Sequence, residues 1–273
     1  MKEVIVLELR EFLFEPLRGR SYSFTIRTRE HGILSGVARV KELATNLGLE
    51  VISMAEEGSL LIPGTPVFAA RGNAEMVTRA EENLMGAIGK PSGVATAAAD
   101  IVKKASPVKV VCGAWKKIGQ ATKGELRQAV MTGGGGLRMS EQPFIYLDKN
   151  YIRMFGGVPA AVSRAKLFDS HRLVVAQLRG EDQGIVEEAR SAVQAGAGIL
   201  MVDTGILEDL KAVMSAAVAD GWRKSVRLAF AGGVSVEELA EIVALGPDII
   251  DVGRAILDAP LLDFSLDVEG GDR

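Results

Sequence analysis

From about residue 78 onward, short unbroken apolar runs alternate with segments of helical spacing, and no other feature of the chain constrains its fold as much. The runs are Val108–Cys112, Phe144–Leu147, Leu173–Leu178, Ile199–Asp203, Val226–Ala231 and Ile249–Val252. Helical spacing fills Gln183–Ala195, Ile206–Asp220 and Ser235–Leu245 between them. Strands without polar alternation are buried on both faces, which means parallel strands covered by helices. At least six such units favour a closed barrel over an open sheet. A long helix, Ala80–Lys104, precedes them, with a break expected near Gly89–Gly93.

Residues 1–77 read differently. SYSFTIRT (21–28) alternates like a half-buried strand, Gly36–Leu47 has helical spacing, and 56–72 reads as a strand pair punctuated by Gly58, Pro63-Gly64 and Gly72. The expected architecture is α/β: an N-terminal α/β sandwich over residues 1–90, joined by the tail 258–273, and an irregular parallel α/β barrel over 91–257.

Composition removes several classes of function. A single cysteine, Cys112, excludes an intrachain disulfide framework and fits a reducing compartment. With only His31 and His171 beside it, a His/Cys zinc site is not expected. A net charge of -3 gives no reason to expect a nucleic-acid partner. No apolar stretch approaches the roughly 20 residues that span a bilayer. The N-terminal MKEVIVLELREFLFE breaks its apolar residues with charges and does not read as a signal peptide. The expectation is a cytoplasmic protein that binds neither nucleic acid nor membrane.

In a barrel, reactive groups lie where strands end and the following loops begin. AFAGGVS (229–235) and DIIDVGRAI (248–256) each end a strand in glycine and open a helix. Backbone N–H groups at such turns suit a phosphate, so Ala231, Gly232, Gly233, Gly253 and Arg254 form a candidate phosphate site, unless the glycines serve only as turns. Lys116 and Lys117 follow one strand, and Asp148, Lys149 and Asn150 follow another. Gln177 and Asp203 end two more, and Arg138 follows a four-glycine run. Asp203 is either a site acid or a helix N-cap. The cations suit a ligand carrying several phosphates or carboxylates, and Asp203 is the candidate for Mg²⁺.

These segments together resemble the quinolinate phosphoribosyltransferases over most of the chain. TREHGILSGV (28–37) resembles that family's "TREAGVVAGL", and SGVATAAADIV (92–102) its "SGIATxTxxxV". AVMTGGGGLRM is similar to "AVxxGGGxNHRxGL", YLDKNYI to "LIKDNHI", ILMVDTG to "IILLDN", AFAGGVS to "ESSGGI" and LLDFSLDV to "LDFSLDI". The resemblance implies transfer of phosphoribose from phosphoribosyl pyrophosphate to the nitrogen of a small aromatic acid, with Mg²⁺ and with loss of the ring 2-carboxylate. It implies Lys117, Gln177 and Asp203 in catalysis, and Lys116, Arg138, Lys149 and Asn150 in substrate binding. It also implies a homodimer in which Glu82 lies near the neighbouring barrel mouth.

The departures are chemical. Lys116 stands for an arginine of "DTRKT", and Glu82 for the arginine of "AER". Gln177 and Ala229 stand for the glutamates of "EVEV" and "ESSGG", and the "NHR" histidine is absent. Lysine does not replace the bidentate guanidinium grip on a carboxylate. Quinolinate is therefore expected to bind more weakly than in ordinary members of the family. The alternatives are a relative acting on another ring, another barrel enzyme with a phosphorylated substrate, and a catalytically silent phosphate-binding protein.

Overall fold

The structure is a computed structural model and describes residues 9–272. Residues 1–8, the first part of the charged N-terminal stretch, and Arg273 lie outside the described residues. The chain divides into two compact units. Among the described residues, the first contains 9–97, 120–133 and 259–272, and the second 98–119 and 134–258.

The first unit begins with α1 (Leu9–Phe14) and contains β1 (Ser21–Thr28), β2 (Gly32–Ile33), α2 (Val37–Asn46), β3 (Glu50–Met54), β4 (Leu60–Leu61) and β5 (Pro66–Gly72). A four-stranded sheet has the order β12-β1-β5-β3, in which β12 is Phe264–Asp272 near the end of the chain. β1 is therefore a central strand, and its burial corrects the half-buried expectation: Phe24, Thr25, Ile26 and Thr28 are all buried. Val40 and Ala44 of α2 join Phe24, Ile26 and Phe68 in one core, with Val37, Leu43 and Leu47 packed against it. Gly36 cannot cap α2 with a side chain. Glu57 does so from a distant loop, accepting N–H bonds from Gly36 (3.1 Å) and Val37 (3.0 Å).

The long helix α3 (Ala74–Ala105) runs unbroken through Pro91, where the sequence predicted a break. The small residues around Pro91 serve a close approach instead. Leu262 N–H donates to Gly89 O at 3.0 Å, and a Cβ on Gly93 would stand 1.9 Å from Pro260 O. The segment entering β12 thus lies directly on the helix backbone.

In the second unit, β6 (Lys109–Val111), β7 (Phe144–Leu147), β8 (Leu173–Leu178), β9 (Ile199–Asp203), β10 (Arg227–Ala231) and β11 (Ile249–Asp251) form a parallel sheet ordered β6-β11-β10-β9-β8-β7. The helices are α4 (Gln120–Thr132, grouped with the first unit), α5 (Lys149–Met154), α6 (Val158–Phe168), α7 (Ile185–Gln194), α8 (Leu207–Ala219), α9 (Leu239–Leu245) and α10 (Arg254–Leu257).

The sheet curls into an incomplete barrel. Val111 from one edge strand packs in a single core with Val175, Ile199, Met201, Ala229, Ala231 and Ile249, against which Phe144 and Tyr146 of the other edge strand also pack. β6 and β7 do not pair. Gly136 forms a single parallel bridge with Val111, and Met139 enters the core beyond it. Closure is thus irregular, by a loop rather than by a strand ladder.

Candidate active site

Side chains alternate along a strand, so the core face of the barrel extends to identifiable residues at the C-terminal strand ends. Val175 leads to Gln177, Ile199 and Met201 lead to Asp203, and Ile249 leads to Asp251. These polar groups sit on top of an apolar core, where each needs a partner.

A chain of polar contacts crosses four strand ends. Lys116 Nζ lies 2.5 Å from Asp148 Oδ2. Asp148 also caps α5, accepting from Asn150 N (3.0 Å) and Tyr151 N (3.2 Å). Its carboxyl is held below its ordinary pKa, first by the Lys116 hydrogen bond and then by the two backbone donors. Lys149 N–H donates to Gln177 Oε1 at 2.6 Å, and Gln177 Nε2 donates to Asp203 Oδ2. Arg179 Nη1 donates to Asp203 O at 2.8 Å and stands 3.6 Å from Asp203 Oδ2. Asp203 is therefore no helix N-cap, since α8 starts after Ile206 without a side-chain cap.

The loop that supplies Arg179 is organised from within. Glu188, buried at 5% exposure, accepts from the backbone N–H groups of Arg179 (2.9 Å), Gly180 (2.8 Å), Glu181 (2.8 Å) and Asp182 (3.4 Å). An internal carboxylate thus fills a nest of N–H groups. Glu181 in turn pairs with Arg153 (2.6 Å) and Arg179 (3.4 Å).

Two residues at this end escaped sequence reading. Asp251 is half-buried and accepts Gly113 N–H at 2.8 Å. Burial pushes its carboxyl up to about 6, and the charge of Asp203 adds to the effect. Tyr146 is raised too, first by burial and then by Asp203, Asp251 and Asp148. Its hydroxyl meets Met201 Sδ at 3.3 Å. Cys112 is fully buried and its thiol is pushed up to about 12, chiefly by burial, which leaves it inert.

The glycine loops differ from one another. Gly232, at φ 110°, lies against the loop after β9: a Cβ there would stand 2.3 Å from Gly205 N. Gly233 is exposed, with open space where its Cβ would be. Gly253 precedes the short α10. Arg254 is exposed, and its Nε pairs with Asp258 at 3.1 Å along that helix. This i,i+4 pair is solvent-exposed on both sides and is a weak tether.

The structure brings Lys116, Lys149, Asn150, Gln177 and Asp203 together at one end of the barrel. Lys117, also exposed, ends the same 3-10 turn, Ala114–Lys117, that carries Lys116. Arg138 is not brought into this chain of contacts. Its guanidinium stacks 5.2 Å over Phe144, the first residue of β7, because the segment after Gly136 turns into the gap between the edge strands. Among the described residues, no group of three or more His, Cys, Asp or Glu is arranged to hold a metal ion.

Both units match one family across nearly the whole chain. Residues 13–92 match the quinolinate phosphoribosyl transferase N-terminal domain, and residues 94–267 its C-terminal domain. The chain belongs to the quinolinate phosphoribosyltransferase family. A quinolinate phosphoribosyltransferase relative from Archaeoglobus fulgidus, described as a probable nicotinate-nucleotide pyrophosphorylase (carboxylating), is 30% identical over 246 residues, covering 89% of this chain and 93% of that protein. The human nicotinate-nucleotide pyrophosphorylase (carboxylating) is 27% identical over 238 residues, covering 86% and 78%. The solved nicotinate-nucleotide pyrophosphorylase of Francisella tularensis superposes with a TM-score of 0.78 at 25% identity, covering 95% of this chain and 94% of that one. That of Pyrococcus furiosus gives 0.78 at 22%, which supports the fold.

Proposed function

We propose that this protein is a phosphoribosyltransferase of NAD biosynthesis. It transfers phosphoribose from phosphoribosyl pyrophosphate to the ring nitrogen of quinolinate, releasing pyrophosphate. The 2-carboxylate then leaves as carbon dioxide, giving nicotinate mononucleotide. The observation that carries this reading is the Lys116–Asp148–Gln177–Asp203 assembly at the strand ends of a chain of this family.

The residues divide the work by charge. Lys117 and Lys149 attract the carboxylates and phosphates of the substrates. Gly233 and Gly253 offer backbone to a phosphate. Asp203, oriented by Gln177 and Arg179, would supply fixed negative charge to an oxocarbenium-like sugar bound at the strand ends and so stabilise the transition state. Mg²⁺ uses one or two carboxylates and completes its shell with substrate phosphates. Asp203, a single carboxylate at the end of β9, fits that mode. When bound, the ion would neutralise the departing pyrophosphate. The family resemblance implies a cytoplasmic homodimer; no helix among the described residues is long and apolar enough to cross a membrane.

One observation favours a second reading. Lys116, which stands where the family places an arginine, is engaged by Asp148. That arrangement suits an acceptor ring with fewer carboxylates. The test is to incubate the purified protein with Mg²⁺, phosphoribosyl pyrophosphate and either quinolinate or monocarboxylate rings. Nicotinate mononucleotide and carbon dioxide from quinolinate support the first reading. Transfer to a monocarboxylate ring alone supports the second, and no transfer to any ring refutes both.

A further inference from the structure

We propose that Asp251 is a positioning residue: by accepting the Gly113 N–H it holds the Ala114–Lys117 turn, and with it Lys116 and Lys117, at the end of the barrel. β6 leaves the sheet just before this turn. Val252 N–H still donates to Val111 O at 2.8 Å, but Cys112 N–H donates to Gly136 O at 2.9 Å. Gly113 N–H is then taken by the Asp251 side chain rather than by a backbone carbonyl.

The fit around this bond is tight. A Cβ on Gly113 would stand 2.3 Å from Asp251 Oδ2. One on Gly253 would stand 2.8 Å from the Ala114 Cβ. The first residues of the turn are thus seated on the end of β11 and on the loop that follows it. At its far end the turn is held by Lys116 on Asp148, and the Lys116 side chain is 79% exposed. A pair with one largely solvated partner is a weak tether, so the Asp251 bond holds the start of the turn more firmly than Lys116 holds its end. Positioning of this kind needs an acceptor atom and not a charge, so an amide oxygen should serve in its place.

The role of the two lysines rests on the phosphoribosyl-transfer reading, whereas the tether itself does not. Asp251→Asn keeps an acceptor and Asp251→Ala removes it. For Asp251→Ala, KM for the acceptor acid should rise about tenfold to a hundredfold, the scale of a lost hydrogen bond to a charged group, with kcat changed far less. Asp251→Asn should stay close to the parent. Trp115, inside the turn, reports its position without any turnover when Trp222→Phe removes the other tryptophan. Its emission should shift in Asp251→Ala and not in Asp251→Asn.

Equal damage in both variants, a fall in kcat at unchanged KM, or unchanged Trp115 emission in Asp251→Ala would overturn the proposal. If the parent protein transfers no phosphoribose, the transfer reading fails and the Trp115 signal alone decides. If Asp251→Ala does not fold, Gly113→Ala, whose methyl displaces the carboxylate, should give the same emission shift, and an unshifted signal there overturns the proposal as well.

Discussion

Lys116 and Asp148 join the two unpaired edges of the barrel: their ion pair at 2.5 Å ties the turn after β6 to the start of the helix after β7. The sheet does not close by backbone pairing there, so this side-chain contact spans the seam at the end that carries the candidate site.

The two partners should not contribute equally. Asp148→Ala removes the ion pair and the cap of α5, and should cost about 1–2 kcal/mol, mostly through the cap. Lys116→Ala leaves the cap and should cost under about 1 kcal/mol. The folded-state pKa of Asp148 is depressed, so its contribution is present above the ordinary carboxylate range and is lost as pH falls through the folded value. Urea melts of both variants at neutral pH and near pH 3 would check the order and its collapse in acid.

Asp251 should show the opposite pH dependence. Its folded pKa of about 6 lies above the ordinary 3.8, so the folded state holds the proton more tightly. Its contribution to stability therefore declines as pH rises from about 4 to about 6. Asp251→Asn should match the parent below pH 4 and be the more stable of the two at pH 7. Thermal unfolding across that range tests the crossing, and a constant difference would contradict it.

The adjacent glycines should separate in mutagenesis. Gly232→Ala places a methyl against the Gly205 backbone and should destabilise by more than about 2 kcal/mol, since neither backbone can move freely. Gly233→Ala meets open space and bears only the strain of its φ of 96°, about 1–2 kcal/mol. If Gly233 lends its N–H to a phosphate, Gly233→Ala should remain folded but bind phosphoribosyl pyrophosphate more weakly by calorimetry.

Glu188→Ala should cost about 2–4 kcal/mol, because it strips a buried acceptor from four N–H groups. The amides of Arg179–Asp182 should then exchange with solvent much faster. Unchanged exchange would mean that another group holds the loop.

Much of this was legible in advance because periodicity and strand ends follow directly from residue order. Six apolar runs became the six barrel strands with small shifts at their ends. Asp203 stood out as a carboxylate closing an apolar run, and the same signal was present in Ile249–Asp251, where it went unread. Arg138 shows the limit of adjacency: following a glycine run does not fix the direction in which the loop turns. Glu188 was invisible, since its nest exists only once residues 179–182 wrap back on α7. Pro91 and its neighbouring glycines signalled helix breakage because the partner that uses them lies some 170 residues later in the chain.

β12 carries a consequence for the order of events during synthesis. It pairs with β1 from Ser21↔Asp272 to Thr28↔Phe264, so a sheet whose other strands all lie before residue 73 waits for a strand translated after the whole barrel. Until then β1 presents an open hydrogen-bonding edge, while the barrel strands between can already assemble in sequence. A chain that stops short of Phe264 would therefore carry the barrel strands together with an uncovered β1 edge, and should aggregate more readily than one that includes β12.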